Sequence, residues 1–487
     1  MKTTNSHPII LPLLVTALFA QHTATVAASA LQAKAGNPLS FLDNRLIFDI
    51  QERVRVEVRE NTFDFNDAID SINDDGWLLQ RFRLGMNIQP INWLNLYAQI
   101  QDVREWDSDR DDFPGAFGAE GDDAFDLRQA YMEIGDARRF PLTLKMGRQV
   151  LAYGDERLIG PLDWNNISRT FDALKLRFEQ PGWWIDLFAS SVVTAERGSY
   201  NQSDLFNGNE THREQVFSGL YFSTTALPFQ TTDIYALHLH EDTRQLPILQ
   251  NNDTNFFTFG TRIKSNTGYF ANKNLADRLD GKTFADGKSL TPQPAQKTKG
   301  LDYDAEVAFQ TGEVQGRSLC AWAAHAGIGY TFDLLWKPRI SIEYSYASGD
   351  ENPFDDDIQT FQNLFPTNHK FYGYMDLFAW TNVHNPALNL KFAPHKNLTV
   401  ELNGHVFFAA TNEDAWYRAN GVTPVRPVNR DADTFEGTEF DATVTWRPVS
   451  PLALQVGYSH FWAGDFLKAT GRNDDAQFLY TQATLEF

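Results

Sequence analysis

The chain has 487 residues, 42% hydrophobic and 14% aromatic, with one cysteine and a formal net charge of −21. An acidic balance argues against nucleic acid as a partner, since that needs a basic face, and a single cysteine, Cys320, excludes an internal disulfide. Beyond residue 30 no stretch is apolar for about 18 positions, so no membrane-spanning helix is encoded.

Residues 1–30 have the form of a secretory signal: Lys2, a short apolar run from Ile9 to Ala20, and the small-residue site Ala28-Ser29-Ala30. Residues 31–487 show no break in composition and read as one unit. Arg53-Val54-Arg55-Val56-Glu57-Val58-Arg59 alternates strictly, with valines on one side and charges on the other. Successive strand side chains face opposite ways, and a helical period would mix the two sets. Arg81–Ile88 repeats the theme, followed by a turn at Gln89-Pro90-Ile91-Asn92 and a strand Leu94–Ile100. An acidic loop follows, carrying Asp107, Asp109, Asp111, Asp112, Glu120, Asp122 and Asp123. Leu127–Ile134, Thr143–Gly147 and Leu174–Phe178 come next, the last two flanking a long loop.

Further strands are predicted at Trp183–Val193, Val216–Ser223, Ile234–His240 and Phe257–Lys264. Residues 266–300 are rich in Asn, Lys, Gly and Pro and show no period. Leu301–Phe309, Ala321–Phe332 and Arg339–Ser348 precede a long loop at 349–384. Ala387–Phe392, Leu398–Phe408, Thr438–Trp446, Leu452–Phe461 and Phe478–Phe487 complete the series.

That makes about 18 strands, with connections alternating short and long. Short turns on one side and long loops on the other are the pattern of a transmembrane antiparallel up-and-down β-barrel in a bacterial outer membrane, and an even count returns both termini to the periplasm. Trp93, Trp183, Trp184, Trp336 and Trp446 crowd the short turns, as expected for an aromatic girdle at one rim. The chain closes on Leu479–Phe487, an alternating strand ending in an aromatic residue, which resembles the terminal signal read by the barrel assembly machinery. A large soluble β-protein is the competing fold; it leaves the leader, the loop asymmetry and the girdle to be explained separately.

If the apolar face meets lipid, the polar face meets a water-filled lumen. By alternation that face collects Arg53, Arg55, Arg59, Arg81, Arg83, Lys145, Lys175, Arg177, Arg262, Lys264 and Lys391, with Glu57, Glu179, Asp186, Glu343, Glu401 and Asp441. The loop after Gly147 adds Arg148, Arg157 and Arg169. Rings of Arg and Lys are how anion pores select their solute. An anion about 4 Å from one such cation gains roughly 1 to 4 kcal/mol, and the planar guanidinium suits carboxylates. The alternative for each residue is a wall ion-pair network, with Arg55, Arg81 and Arg83 neutralised by Glu57 and its neighbours.

GRQVLAYGDERLIG from Gly147, WNNISRTFDALKLRF from Trp164 and HKFYGYMDLFAWTN from His369 resemble the alginate export family of outer-membrane barrels, and the likeness runs from roughly residue 45 to the C-terminus. The resemblance implies an 18-stranded barrel with an electropositive constriction that conducts an acidic exopolysaccharide outward, gated by loops. By motif position it places the constriction role on Arg148, Arg157 and Arg169. It implies a monomer, with outer-membrane lipid and lipopolysaccharide around it and periplasmic secretion partners beneath. Residues 266–300 are either a periplasmic plug or a plain insertion. A general or sugar-selective uptake porin shares the fold and stays open as a second function. No enzyme is expected: His238, His240, His325 and His405 sit singly on strands, and Asp155-Glu156 has no companion nucleophile in view. No cofactor and no metal site are expected either, because the Asp107–Asp123 run lacks the spacing and glycine of a calcium loop.

Overall fold

The computed structural model describes residues 39–62, 64–67, 74–109, 122–137, 139–195, 200–203, 214–242, 253–266, 300–421, 424–426 and 430–487. Eighteen long strands run through them: β1 Leu46–Glu60, β2 Asp75–Ile91, β3 Leu94–Trp106, β4 Asp123–Ile134, β5 Leu142–Gln149, β6 Phe171–Gln180, β7 Trp183–Val192, β8 Glu214–Thr224, β9 Gln230–Asp242, β10 Thr254–Ser265, β11 Gly300–Val314, β12 Arg317–Thr331, β13 Arg339–Ala347, β14 Val383–His395, β15 Leu398–Ala409, β16 Phe435–Val449, β17 Leu452–Ala463 and β18 Ala476–Glu486. Each pairs antiparallel with the next. β1 also pairs with β18, from Gln51↔Glu486 to Glu60↔Gln477, and this closes the sheet into a barrel with no free edge. Beyond the last strand, the Phe487 N–H donates to the Ile50 carbonyl at 2.9 Å and the Ile50 N–H returns a bond at 3.2 Å, so the C-terminal residue seals the seam.

The alternation read from the sequence sets the two faces. Leu187, Leu220, Ile234, Phe257, Ile328, Ile342 and Leu388 are exposed on the outside, as a lipid-facing band requires. Exposed tryptophans mark both rims, Trp93, Trp336 and Trp446 at the short-turn end and Trp106, Trp322 and Trp462 at the long-loop end. Trp184 does not belong to the girdle. It follows Trp183 directly and therefore faces inward, with the Arg177 guanidinium 4.3 Å from its ring. Cys320 is exposed on the wall. β11 and β12 are longer than the periodicity suggested and meet in a two-residue turn, because Gln315 and Gly316 both take positive φ (52° and 75°), the condition for a tight hairpin.

Two connections at the long-loop end fold into the barrel. Residues 150–170 join β5 to β6, and residues 348–382 join β13 to β14. Their apolar side chains, Leu151, Leu158, Ile159, Phe361, Phe365, Phe378 and Trp380, are buried against inward wall residues such as Phe171, Phe217 and Phe407. The barrel therefore has a packed waist. The expected leader at 1–30, the acidic residues Asp111, Asp112 and Glu120, and nearly all of the segment 266–300 lie outside the described residues.

Candidate functional site, a charged constriction

Arg53 and Arg55 on β1 stand beside Arg81 and Arg83 on β2, with Arg53 directly opposite Arg81. All four point inward, and the loop 150–170 lies on them. Arg53 donates to the carbonyls of Asp163 (2.8 Å), Trp164 (3.1 Å) and Asn165 (3.2 Å) and to Asn166 Oδ1 (3.0 Å). Arg55 donates to the Trp164 carbonyl at 2.7 Å, pairs through Nε with Glu57 at 2.6 Å, and lays its guanidinium 4.0 Å from the Trp164 ring. Arg81 and Arg83 reach the two oxygens of the Asp163 carboxylate, at 3.1 and 2.8 Å, and Arg128 on β4 stands 3.7 Å from it. Ser168 Oγ adds a bond at 2.8 Å. With Arg55 and Arg81 at 0% and 1% exposure, this part of the cationic face is a floor for the loop rather than an open track.

A second group forms on the far side of the same loop. Asp155 receives Arg262 Nη2 of β10 at 2.9 Å and Lys264 Nζ at 2.6 Å, while its carbonyl accepts from Lys370 at 3.1 Å. Arg262 Nη1 also pairs with Asp233 of β9 at 2.6 Å. Around the wall, Arg177 pairs with Asp186 at 2.7 Å, with Lys175 3.7 Å away, and Lys145 sits 3.8 Å above the Tyr131 ring. Lys391 meets Glu401 at 2.7 Å and Arg339 meets Asp302 at 2.6 Å.

The loop 348–382 is gripped by the opposite sign. Its Met375 N–H donates to Glu439 Oε1 at 2.9 Å and its Tyr374 N–H to Asp441 Oδ1 at 3.4 Å. Gly373 makes this approach possible: its φ is +81°, and a Cβ there would lie 2.4 Å from the Glu439 carboxylate. The two loops join through a parallel bridge at Ile159 and Phe365 and through stacked rings of Trp164 and His369, 3.8 Å apart and 8° from parallel. Arg157 is buried in an aromatic cage, 4.0 Å from the Phe371 ring and 3.4 Å from Tyr372 Oη. Arg169 differs from the rest. Its Nη1 donates to the carbonyls of Gly160 (3.2 Å) and Pro366 (2.9 Å), and it pairs with no carboxylate among the described residues. Ser345, His325 and Asp304 form a hydrogen-bonded row (3.0 and 2.9 Å) across β13, β12 and β11. The row lies across the paired strands β11, β12 and β13.

Arg53, Arg55, Arg81, Arg83, Lys145, Lys175, Arg177 and Arg262 all sit on the inward face, and Arg157 and Arg169 sit in the inward loop. Arg148 requires correction. It lies three residues after Lys145 on β5, hence on the opposite face, where it pairs with Asp172 at 3.0 Å and donates to the Leu127 carbonyl at 3.2 Å. It takes no part in the constriction. Sequence reasoning missed Arg128, Asp163, Trp164, His369 and Glu439. One signal was available: Leu151, Leu158, Ile159 and Trp164 are unusual residues for a solvated loop.

Burial disfavours the charged form of Asp155, but Lys264, Arg262 and Lys370 outweigh it and hold the carboxyl well below its ordinary value of 3.8. Asp163 behaves the same way: burial opposes ionisation, and Arg81, Arg83, Arg128 and Arg53 override it. Arg169 has only the burial effect, which pushes its guanidinium down to about 10. The sign for the loop follows from linkage. Carboxylates with depressed folded values contribute fully above their unfolded value and lose that contribution as pH falls through the folded value. The difference in single-channel conductance between wild type and Asp163→Asn is therefore expected to stay level from about pH 7 to about pH 4 and to narrow only under stronger acid. A step in that difference between those limits counts against Asp163 as an anchor.

The family model for alginate export matches residues 44–480. Among solved structures, Pseudomonas aeruginosa OpdK with vanillate shares 10% identity at a TM-score of 0.56, covering 92% of this chain and 100% of that one. Pseudomonas aeruginosa OprD shares 11% at 0.55, covering 92% and 95%, and OpdO of the same organism shares 12% at 0.54, covering 91% and 97%. At these identities the likeness is one of fold. No curated protein sequence matches the chain. The matched span includes nearly the whole barrel and both inward loops, and the protein is an outer-membrane β-barrel channel that belongs to the alginate export family.

Proposed function

We propose that the barrel conducts an anionic, alginate-like polysaccharide or oligosaccharide outward by passive diffusion past the Arg- and Lys-bearing constriction. The observation that carries this reading is Arg169. It is a guanidinium at the joint of the two inward loops whose Nε and Nη2 have no partner among the described residues. A passing carboxylate meets both donors in one plane. Lys264, Arg177 and Lys391 extend the series along the lumen, each already beside an acid, so each site is shallow enough to release its solute. The family's description, alginate export, supports an outward direction over uptake. A cleaved leader at 1–30, assembly through the C-terminal Phe487, a monomeric state and periplasmic secretion partners belong to the same reading.

A second reading, uptake of small carboxylates, draws support from OpdK, whose solved structure carries vanillate. Planar-bilayer recording with oligomannuronate, vanillate and a neutral oligosaccharide separates the two. The proposed reading expects anion selectivity and interruption of current by oligomannuronate but not by the neutral sugar. Arg169→Ala is expected to weaken oligomannuronate block by about tenfold, or about 1.4 kcal/mol. Equal block by the neutral sugar defeats the anionic reading, and block by vanillate with none by oligomannuronate transfers the case to uptake.

A further inference from the structure

Two of the three carboxylates of the loop 150–170, Asp155 and Asp163, are each seated in a nest of cations supplied from elsewhere in the fold. Asp163 lies among Arg81, Arg83 and Arg128, and Asp155 lies between Arg262 and Lys264. Asp163 keeps 17% of its side chain exposed, and Lys264 keeps 35%, so both nests have an edge that a solute can approach. The cations come from the wall and the acids from the loop. A carboxylate of the loop thus stands where a carboxylate of a solute would be held.

We infer that the loop is an internal mimic of the polyanion, and that the channel opens by ion exchange, the solute's carboxylates taking the nests from Asp163 and Asp155. This inference rests on the anionic reading of the preceding section. The physical reason for exchange is the cost of the alternative. If the loop lifted away alone, three guanidiniums in one nest would lose the carboxylate they share within a largely dehydrated wall, and breaking a buried ion pair on one side is strongly unfavourable. Replacement by an incoming carboxylate keeps both nests neutralised throughout. A neutral sugar offers no such exchange and leaves the loop seated. Linked acidic sugars present several carboxylates in sequence, so a second exchange at Asp155 follows the first at high effective concentration. The depressed carboxyl values of Asp163 and Asp155 accord with strong seating at neutral pH.

The test uses the full-length protein in planar bilayers, with wild type, Asp163→Asn and Asp163→Glu, before and after oligomannuronate or a neutral oligosaccharide of equal length. The wild type is expected to show its open time raised about tenfold by oligomannuronate, equivalent to about 1.4 kcal/mol of loop docking, and no change with the neutral sugar. Asp163→Asn is expected to be open without ligand and to gain nothing further from it. Asp163→Glu, which keeps the charge, is expected to retain the ligand response and shows that the site tolerates substitution. If oligomannuronate only blocks wild type, with no prior opening, or if Asp163→Asn responds as wild type does, the exchange mechanism is overturned. Ion selectivity of the wild type separates this from failure of the underlying reading. An anion-selective wild type lacking ligand-driven opening removes the mimic alone, whereas a cation-selective wild type removes the anionic reading with it.

Discussion

Replacement of Arg262 by alanine is expected to open the channel, tilt its selectivity toward cations and cost about 3 to 5 kcal/mol of stability, the penalty for breaking a buried pair on one side only. Arg262 bridges Asp155 on the inward loop at 2.9 Å and Asp233 on the wall at 2.6 Å, and it is buried. Without it, Asp233 loses this partner and Asp155 keeps Lys264. The loop then loses its tie to β10 at the same moment that negative charge is uncovered beside the path. Conductance and selectivity should both change: conductance rises as in Asp163→Asn, and selectivity moves in the opposite sense, because Asp163→Asn uncovers positive charge. Thermal unfolding reads the first effect, and the reversal potential under a salt gradient reads the second. An unchanged reversal potential would mean that the Asp155 nest does not face the conducting path.

The wall was legible because alternation is a local property. Arg53, Arg55 and Arg81 declare their face through their immediate neighbours, and an even strand count is the condition for the antiparallel closure of β18 on β1. The same rule would have placed Arg148 correctly, since positions three apart on a strand cannot share a face. A role carried over by motif position displaced it. Trp184 was misplaced for a similar reason, as adjacent residues were read as one girdle. The waist was not legible. Arg53 meets Asp163 across 110 positions, and Arg59 meets Met375 across 316. Nothing periodic links such residues, so their pairing depends on where the barrel's curvature brings a loop. The choice for the N-terminal arginines lay between solute path and wall network. The structure adds a third partner that neither option contained, the backbone carbonyls of an inserted loop.

Trp380→Ala should loosen the other inward loop without moving charge. Trp380 is 0% exposed, donates through Nε1 to the Tyr346 carbonyl at 2.9 Å, and lies 5.5 Å from the Phe361 ring. Truncating a buried tryptophan costs about 3 to 5 kcal/mol through lost contacts and the cavity left behind. The loss falls on residues 348–382, whose other grips include the Glu439 and Asp441 contacts at Met375 and Tyr374 and the apolar cluster around Phe378. Conductance is expected to rise and limited proteolysis within the loop to accelerate, while the reversal potential stays at its wild-type value. Trp380→Phe should fall between, keeping most of the buried area and losing one hydrogen bond of about 1 kcal/mol. The comparison with Arg262→Ala is the informative one. If steric occupancy alone sets the pore, both variants change conductance and neither changes selectivity. If the charged nests form part of the path, only the arginine variant changes both, and Trp380→Ala reports how much of the obstruction is packing.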